Sequence, residues 1–193
     1  CRPFSEVTRE SIWAGLAKGV PGARIGDISA AVQASLESHD RDYGIIREYT
    51  GHGIGTEMHM DPDVPNWGRA GRGPKIVEGM VLCIEPMATL GTEVTATLDD
   101  EWTVVTVDGS WASHWENTVA VTSKGLWVLS EPDGGQAELE KRGVPFGPLD
   151  CGCSVALPGP GVPAALWTTG GTCALCVSYC WCPLAPFNLG RRS

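Results

Sequence analysis

The stretch "GMVLCIEPMATL", residues 79–90, is an apolar β-type run that contains one carboxylate, Glu85, between Ile84 and Pro86. A run of this length, bounded by glycine and rich in branched residues, indicates a buried strand. A bare charge inside such a strand is costly to bury. The stretch therefore predicts both a core strand and a carboxylate that needs a partner.

Further β-type runs surround this stretch, and two helical patterns precede them. Residues 5–19 and 26–38 place apolar side chains on one face, and Asp27 is available as the N-cap of the second helix. The expected fold is α+β, with two helices on one face of a curved, mainly antiparallel sheet. The β-type runs outside residues 79–90 are "GIIREYT" (44–50), "EWTVVTVDG" (101–109), "WENTVAVTS" (115–123) and "GLWVLSE" (125–131).

Two of the four histidines lie in the stretch "REYTGHGIGTEMHMDP", residues 47–62. Glycines flank His52 on both sides, which leaves its imidazole little side-chain cover and lets another group approach closely. His59 follows seven residues later. This spacing indicates a site, although one histidine alone more often packs quietly in a core.

A second carboxylate, Glu116, lies in "HWENTV", again within apolar β sequence. Each acid taken singly is explained more simply as a strand-end carboxylate in water. Two acids and two histidines together favour a divalent cation, because a cation neutralises the acids and uses their oxygens as ligands.

Composition divides the chain near residue 150. Residues 1–150 carry a formal charge of −11, from 12 basic against 23 acidic residues, whereas residues 151–193 contain only Arg191 and Arg192 as charged residues. The acidic body argues against a nucleic-acid or anionic membrane surface as a partner, and no targeting signal is recognisable. We expect a catalytic body at 1–150, a tail at 151–193 without a core of its own, and a cytoplasmic location.

The tail contains six of the eight cysteines. Its "CALC" has the spacing of a zinc knuckle, but "CGC" and "CWC" are spaced too closely for the usual zinc pattern. A zinc-binding tail with the body as its scaffold is the weaker interpretation, and a Pro/Gly/Cys-rich extension is the simpler one.

Three ordered motifs, "GHGIGTEMHMDP", "VLCIEPM" and "HWENTVAVT", resemble type I methionine aminopeptidase, a dinuclear metallopeptidase with the pita-bread fold. The resemblance runs from about residue 4 to about residue 130 and covers the second half of that family's catalytic domain. Prolidase and Xaa-Pro aminopeptidase share the fold, but Met87 and the "WENT" context favour the methionine enzyme.

The resemblance implies a role for each matching residue. His52 and Glu85 would bind one metal ion, and Glu116 would bridge two. His59 would hydrogen-bond the substrate beside the scissile peptide, stabilising the charge that develops there. Glu85 would also carry a proton to the leaving amine. The implied cofactors are two divalent metal ions, among Co, Mn, Fe and Zn.

The resemblance also implies a substrate, the N-terminal methionine of newly made proteins, and a monomeric enzyme. Met58 and Trp102 fall where the family lines its methionine side-chain pocket, and the alternative for both is ordinary core packing.

The chain departs from the family in lacking the first half, which supplies two aspartate ligands and a further catalytic histidine. We therefore expect a fragmentary product that is inactive alone. The alternative is a non-catalytic metal-binding fragment or interaction module.

Overall fold

A computed structural model describes residues 2–149 of the chain. These residues belong to one compact unit. The expectation that 151–193 forms a tail without a core falls outside the described residues and stays a prediction.

Three helices are present in this part of the chain: α1 Arg2–Leu16, α2 Ile25–Glu37 and α3 Gln136–Lys141. The first two confirm the helices expected from sequence, although α1 begins and ends three residues earlier than its pattern indicated. The sequence analysis missed the short α3. Helices α1 and α2 pack closely at Gly15, where an added Cβ would lie 2.6 Å from a methyl carbon of Val32.

The start of α2 corrects one expectation, because Arg24 and not Asp27 is the N-cap residue. Asp27 lies in the first turn, where its carboxylate accepts hydrogen bonds from the backbone N–H of Arg24 at 2.8 Å and of Gly71 at 2.7 Å. These two donors hold the pKa of Asp27 below its usual value. The carboxylate thus satisfies an orphan donor at the helix start from inside the helix.

All strand pairs are antiparallel, and they form three sheets of five, three and two strands. The orders are β10-β9-β4-β2-β3, β1-β5-β8 and β6-β7. The α+β, mainly antiparallel prediction is therefore confirmed. The strands are β1 Gly44–Ile45, β2 Gly51–Gly53, β3 Met60–Val64, β4 Val81–Ile84, β5 Met87–Thr89, β6 Thr95–Thr97, β7 Val104–Thr106, β8 Ala112–His114, β9 Asn117–Val121 and β10 Leu126–Val128.

The β4–β9 pair of the five-stranded sheet and the β5–β8 pair of the three-stranded sheet have the same pairing register. We call these two pairs together the long ladder. In the first sheet Ile84 of β4 pairs with Asn117 of β9, and in the second Met87 of β5 pairs with His114 of β8. The register is the same on both sides, so the residues between the strands also face each other. The ladder is interrupted at Pro86, which has no N–H to donate.

The core lies between the two long helices and the five-stranded sheet. Leu82 and Ile84 of β4 are fully buried, as are Ile12 of α1 and Ile28 of α2. These side chains belong to one hydrophobic cluster. Burial of this face fixes the register of the long ladder, because a slip by one residue would expose it.

Candidate metal centre

Glu85 lies between β4 and β5, Glu116 lies between β8 and β9, and the register of the long ladder sets them opposite each other. Side-chain oxygens of both lie within 4.8 Å of each other. The Glu85 side chain is only 15% exposed. Like charges opposite each other across an antiparallel pair are destabilising, so this arrangement calls for a cation.

His52 reaches the same place from the neighbouring strand β2, where it pairs with Cys83 of β4. The glycines on either side are required by backbone packing. A Cβ on Gly51 would lie 2.3 Å from the Cys83 carbonyl oxygen, and one on Gly53 would lie 2.3 Å from the Asp61 carbonyl oxygen. The group that approaches closely is therefore the backbone of β4 and β3.

The tautomer of His52 follows from its neighbours. Its Nδ1 lies 2.9 Å from the carbonyl oxygen of Gly53, which can only accept, so Nδ1 carries the proton. In the neutral ring the Nε2 atom then carries a lone pair and no proton. This atom lies 3.5 Å from Glu85 Oε1. A hydrogen bond to the far ring nitrogen is the usual way in which a protein orients a metal-binding histidine.

His114, at the end of β8, faces the other oxygen of the same carboxylate. Its Nε2 lies 3.4 Å from Glu85 Oε2. Ligand atoms of His114, Glu85 and Glu116 all lie within 4.8 Å of one another.

These residues fit a divalent metal ion. Glu85 belongs to two groups of potential ligands, one with His52 and Cys83 and one with His114 and Glu116. The facing carboxylates repel each other unless a proton or a cation lies between them. The ion-pair partners that the structure gives for Glu85 are both imidazoles. A mixed set of imidazole nitrogens and carboxylate oxygens suits Mn, Fe, Co or Zn.

His59 lies beside His52. The two rings meet at an angle of 63°, with their centroids 4.4 Å apart. The four candidate metal-binding and catalytic residues from the sequence are thus linked by neighbouring contacts: His59 with His52, His52 with Glu85, and Glu85 with Glu116.

Met58 and Trp102 lie on exposed loops. Met58, between β2 and β3, is 61% exposed, and Trp102, between β6 and β7, is 87% exposed. Core packing, the alternative for both, is therefore wrong. Their role in binding a methionine side chain stays a prediction.

Cys83 is a buried neighbour of the site. Its thiol donates a hydrogen bond to Glu116 Oε1 at 3.1 Å. Burial, followed by the adjacent Glu116 carboxylate, raises the pKa of the thiol far above its usual range. Cys83 therefore holds its proton and orients Glu116.

The sequence analysis missed His114 and Cys83, although strand alternation points to both. Side chains two residues apart share a face of a strand. Cys83 lies two residues before Glu85, and His114 two residues before Glu116. His114 was overlooked because β8 was not expected as a strand.

Residues 2–123 match the model of the metallopeptidase family M24. Among curated proteins, the chain is 54% identical over 125 residues to methionine aminopeptidase of Clostridium acetobutylicum, covering 65% of this chain and 49% of that protein. It is 52% identical over 131 residues to methionine aminopeptidase 1 of Mycobacterium tuberculosis, covering 66% and 49%. The chain thus spans about half the length of the curated relatives it matches.

The structure is similar to the crystal structure of methionine aminopeptidase from Thermotoga maritima, with a TM-score of 0.64 and 40% identity. That match covers 67% of this chain and 51% of the other. It confirms the partial pita-bread fold, and the three comparisons confirm the resemblance to methionine aminopeptidase. Membership of a metallopeptidase family implies divalent metal ions. The helices within residues 2–149 include none with the length and apolar character to cross a membrane. The chain belongs to metallopeptidase family M24.

Proposed function

We propose that this chain supplies the histidine and glutamate half of the metal centre in a methionine aminopeptidase, an enzyme that removes the N-terminal methionine from newly made proteins in the cytoplasm. In this proposal His52, Glu85 and Glu116 bind metal. The physiological ion is one of Co, Mn, Fe or Zn, and two ions are bound in the complete centre.

The observation that carries the proposal is the facing pair of Glu85 and Glu116, with His52 Nε2 3.5 Å from Glu85. All three belong to the motifs that the sequence shares with the family. His52 lies in β2, and the two glutamates directly adjoin strands of the long ladder, so strand pairing fixes the backbone of all three.

The residues around this pair have separate tasks. A bound divalent ion polarises a scissile carbonyl and lowers the pKa of a water molecule. Glu85 can accept a proton on a carboxylate oxygen and pass it to the leaving amine. His59, whose ring lies edge-on against His52, can donate a hydrogen bond to the substrate where negative charge develops. Met58 and Trp102 would contact the methionine side chain of the substrate.

A chimera tests this function. The first half of the Clostridium acetobutylicum relative would be joined ahead of the full chain, loaded with Co²⁺ or Mn²⁺, and given the peptide Met-Ala-Ser. We expect release of methionine, detected by mass spectrometry. His59→Ala should lower the rate by about 10²–10³-fold, as loss of one such donor does in other enzymes.

The control is the same chimera with His39→Ala, a histidine that contacts Tyr43 and lies outside the metal centre. It should keep full activity. A chimera that folds by circular dichroism and binds two equivalents of metal, yet releases no methionine, would contradict the proposed function.

The second candidate function is a non-catalytic metal-binding fragment. It is favoured by one observation, the two imidazoles that flank Glu85, which give the chain enough donors for one ion. The chimera decides between them, because only the first function predicts that it releases methionine. Both functions predict an inactive isolated chain. We expect it to bind one equivalent of metal and to leave Met-Ala-Ser intact, whereas turnover abolished by Glu116→Ala would show that the chain alone is a peptidase.

A further inference from the structure

His114 faces the metal centre from a different sheet than His52 does. It ends β8 in the three-stranded sheet, whereas His52 lies in β2 of the five-stranded sheet. The family motifs quoted above assign no role to this position. Its side chain is 38% exposed, so a packing role in the core does not account for where it points.

Each of the two imidazoles faces a different oxygen of the Glu85 carboxylate. His52 Nε2 lies 3.5 Å from Oε1, and His114 Nε2 lies 3.4 Å from Oε2. Both distances are long for a charge-assisted hydrogen bond, which is usually about 2.7–2.9 Å. They match the separation of two donors bound to one ion, since donors at about 2.1 Å from a tetrahedral zinc lie about 3.4 Å apart.

The pairing register that places the two acids opposite each other also places His114 beside them. It pairs with Met87, two positions beyond Glu85, and lies two positions before Glu116 on the other side of the ladder. Glu85, Glu116 and His114 are therefore neighbours on one face of the ladder, with ligand atoms within 4.8 Å of one another.

We propose that His114 is a metal ligand that binds one ion together with Glu85 and Glu116, with His52, on the other oxygen of Glu85, as the fourth donor. This inference rests on the proposed metal-binding role of His52 and the two glutamates. The donors are two neutral imidazole nitrogens and two carboxylates, which together cancel the charge of one divalent cation. Such a set prefers Zn²⁺ or Co²⁺ to Mg²⁺ or Ca²⁺, whose ligands are mainly oxygens.

The test is zinc binding to the full chain by isothermal titration calorimetry, after metal removal with a chelator. The parent, His114→Gln, His52→Gln and His39→Gln proteins are compared. We expect one equivalent of Zn²⁺ in the parent and a dissociation constant at least about tenfold higher for His114→Gln. His39→Gln, remote from the centre, should match the parent.

A second measurement needs no substitution. In ¹⁵N-labelled parent protein, addition of zinc should shift the Nε2 resonances of His114 and His52 together, and leave that of His39 in place. This readout keeps the inference testable if a variant fails to fold.

Two failures are distinguishable. If His114→Gln binds zinc like the parent while His52→Gln does not, and the His114 resonance stays fixed, His114 is not a ligand and the proposed centre stands without it. If neither substitution changes zinc affinity and neither resonance moves, both the inference and the proposed metal centre are wrong.

Discussion

The long ladder and the hairpin of β6 and β7 are both antiparallel pairs that carry carboxylates, but the carboxylates have different partners. In the hairpin, Asp100 sits in the turn and accepts from the backbone N–H of Trp102 at 3.0 Å and of Thr103 at 2.8 Å. The Thr103 hydroxyl also donates to it, and these bonds lower the pKa of Asp100. In the ladder, Glu85 faces two imidazoles and a second acid.

This difference separates a structural carboxylate from a candidate ligand. The acceptor oxygens of Asp100 are used by its own turn, so the turn needs no ion. The oxygens of Glu85 face groups that are themselves acceptors unless they are protonated. The local bonds of Asp100 therefore argue against a role for it as a metal ligand.

The largest expected difference between the two regions is in stability. Ile84→Ala in β4 should lower the free energy of unfolding by about 2–5 kcal/mol, because it removes a fully buried side chain and leaves a cavity. Val105→Ala in β7 should cost less than about 1 kcal/mol, because Val105 is partly exposed and only strand propensity changes. Urea unfolding of the metal-free proteins measures both. Equal losses would mean that the hairpin contributes to the core as the ladder does.

The second prediction concerns metal. Glu116→Gln should weaken zinc binding by about 100-fold, which is about 2.7 kcal/mol, because it replaces an anionic ligand by a neutral amide. In the metal-free protein the same change should raise the midpoint of thermal unfolding, because it removes one of two opposed like charges. The two effects have opposite signs, which a merely structural role would not produce.

Asp100→Asn is the matched control for this substitution, since it also neutralises one carboxylate in a two-stranded pair. It should leave zinc affinity unchanged. Equal weakening by both substitutions would indicate that zinc responds to the overall negative charge of the chain and not to a defined centre.

The sequence predicted the two long helices well, because helical periodicity is a local signal, although the N-cap of α2 is Arg24 and not Asp27. Strands β1, β4, β5, β7, β9 and β10 also fall within predicted runs. The facing of Glu85 and Glu116 could not be read in this way, because it depends on the pairing of strands about thirty residues apart. The cost of burying two acids, considered together with two histidines, connected the acids first, and the shared motifs then supported the connection.

The parts that were missed are short elements defined by their partners. Strand β8 has three residues and follows the glycine and serine of a turn, so its own sequence indicates a loop. It becomes a strand because it pairs with β5. His114 was therefore missed, although its spacing from Glu116 would have placed it on the same face once β8 was known.

The third prediction uses pH to test whether a carboxylate of the hairpin region is bound by backbone N–H groups of its own turn. Asp108, which follows β7, accepts from the backbone N–H of Thr92 and of Ser110, both at 2.9 Å. These donors lower the pKa of Asp108 to about 2. Because this pKa is lowered from 3.8, the ionised Asp108 stabilises the folded state at pH values above 3.8. This stabilisation is lost as the pH falls through about 2. Hydrogen exchange of the Thr92 and Ser110 amides should therefore accelerate over this interval in the parent. In Asp108→Asn, exchange corrected for its intrinsic pH dependence should stay flat.

The smallest expected effect on stability is that of Trp102→Ala. Trp102 is 87% exposed in the β6–β7 turn, and substitutions at such positions usually change the free energy of unfolding by less than about 0.5 kcal/mol. Trp13→Ala is the matched control, because Trp13 is fully buried in α1 and its truncation should cost about 3–5 kcal/mol. In the active chimera, Trp102→Ala should raise the KM for Met-Ala-Ser, since the role expected for this ring is contact with the methionine side chain. A large loss of stability would show that the hairpin packs more tightly than its exposure indicates, and an unchanged KM would remove Trp102 from the substrate site.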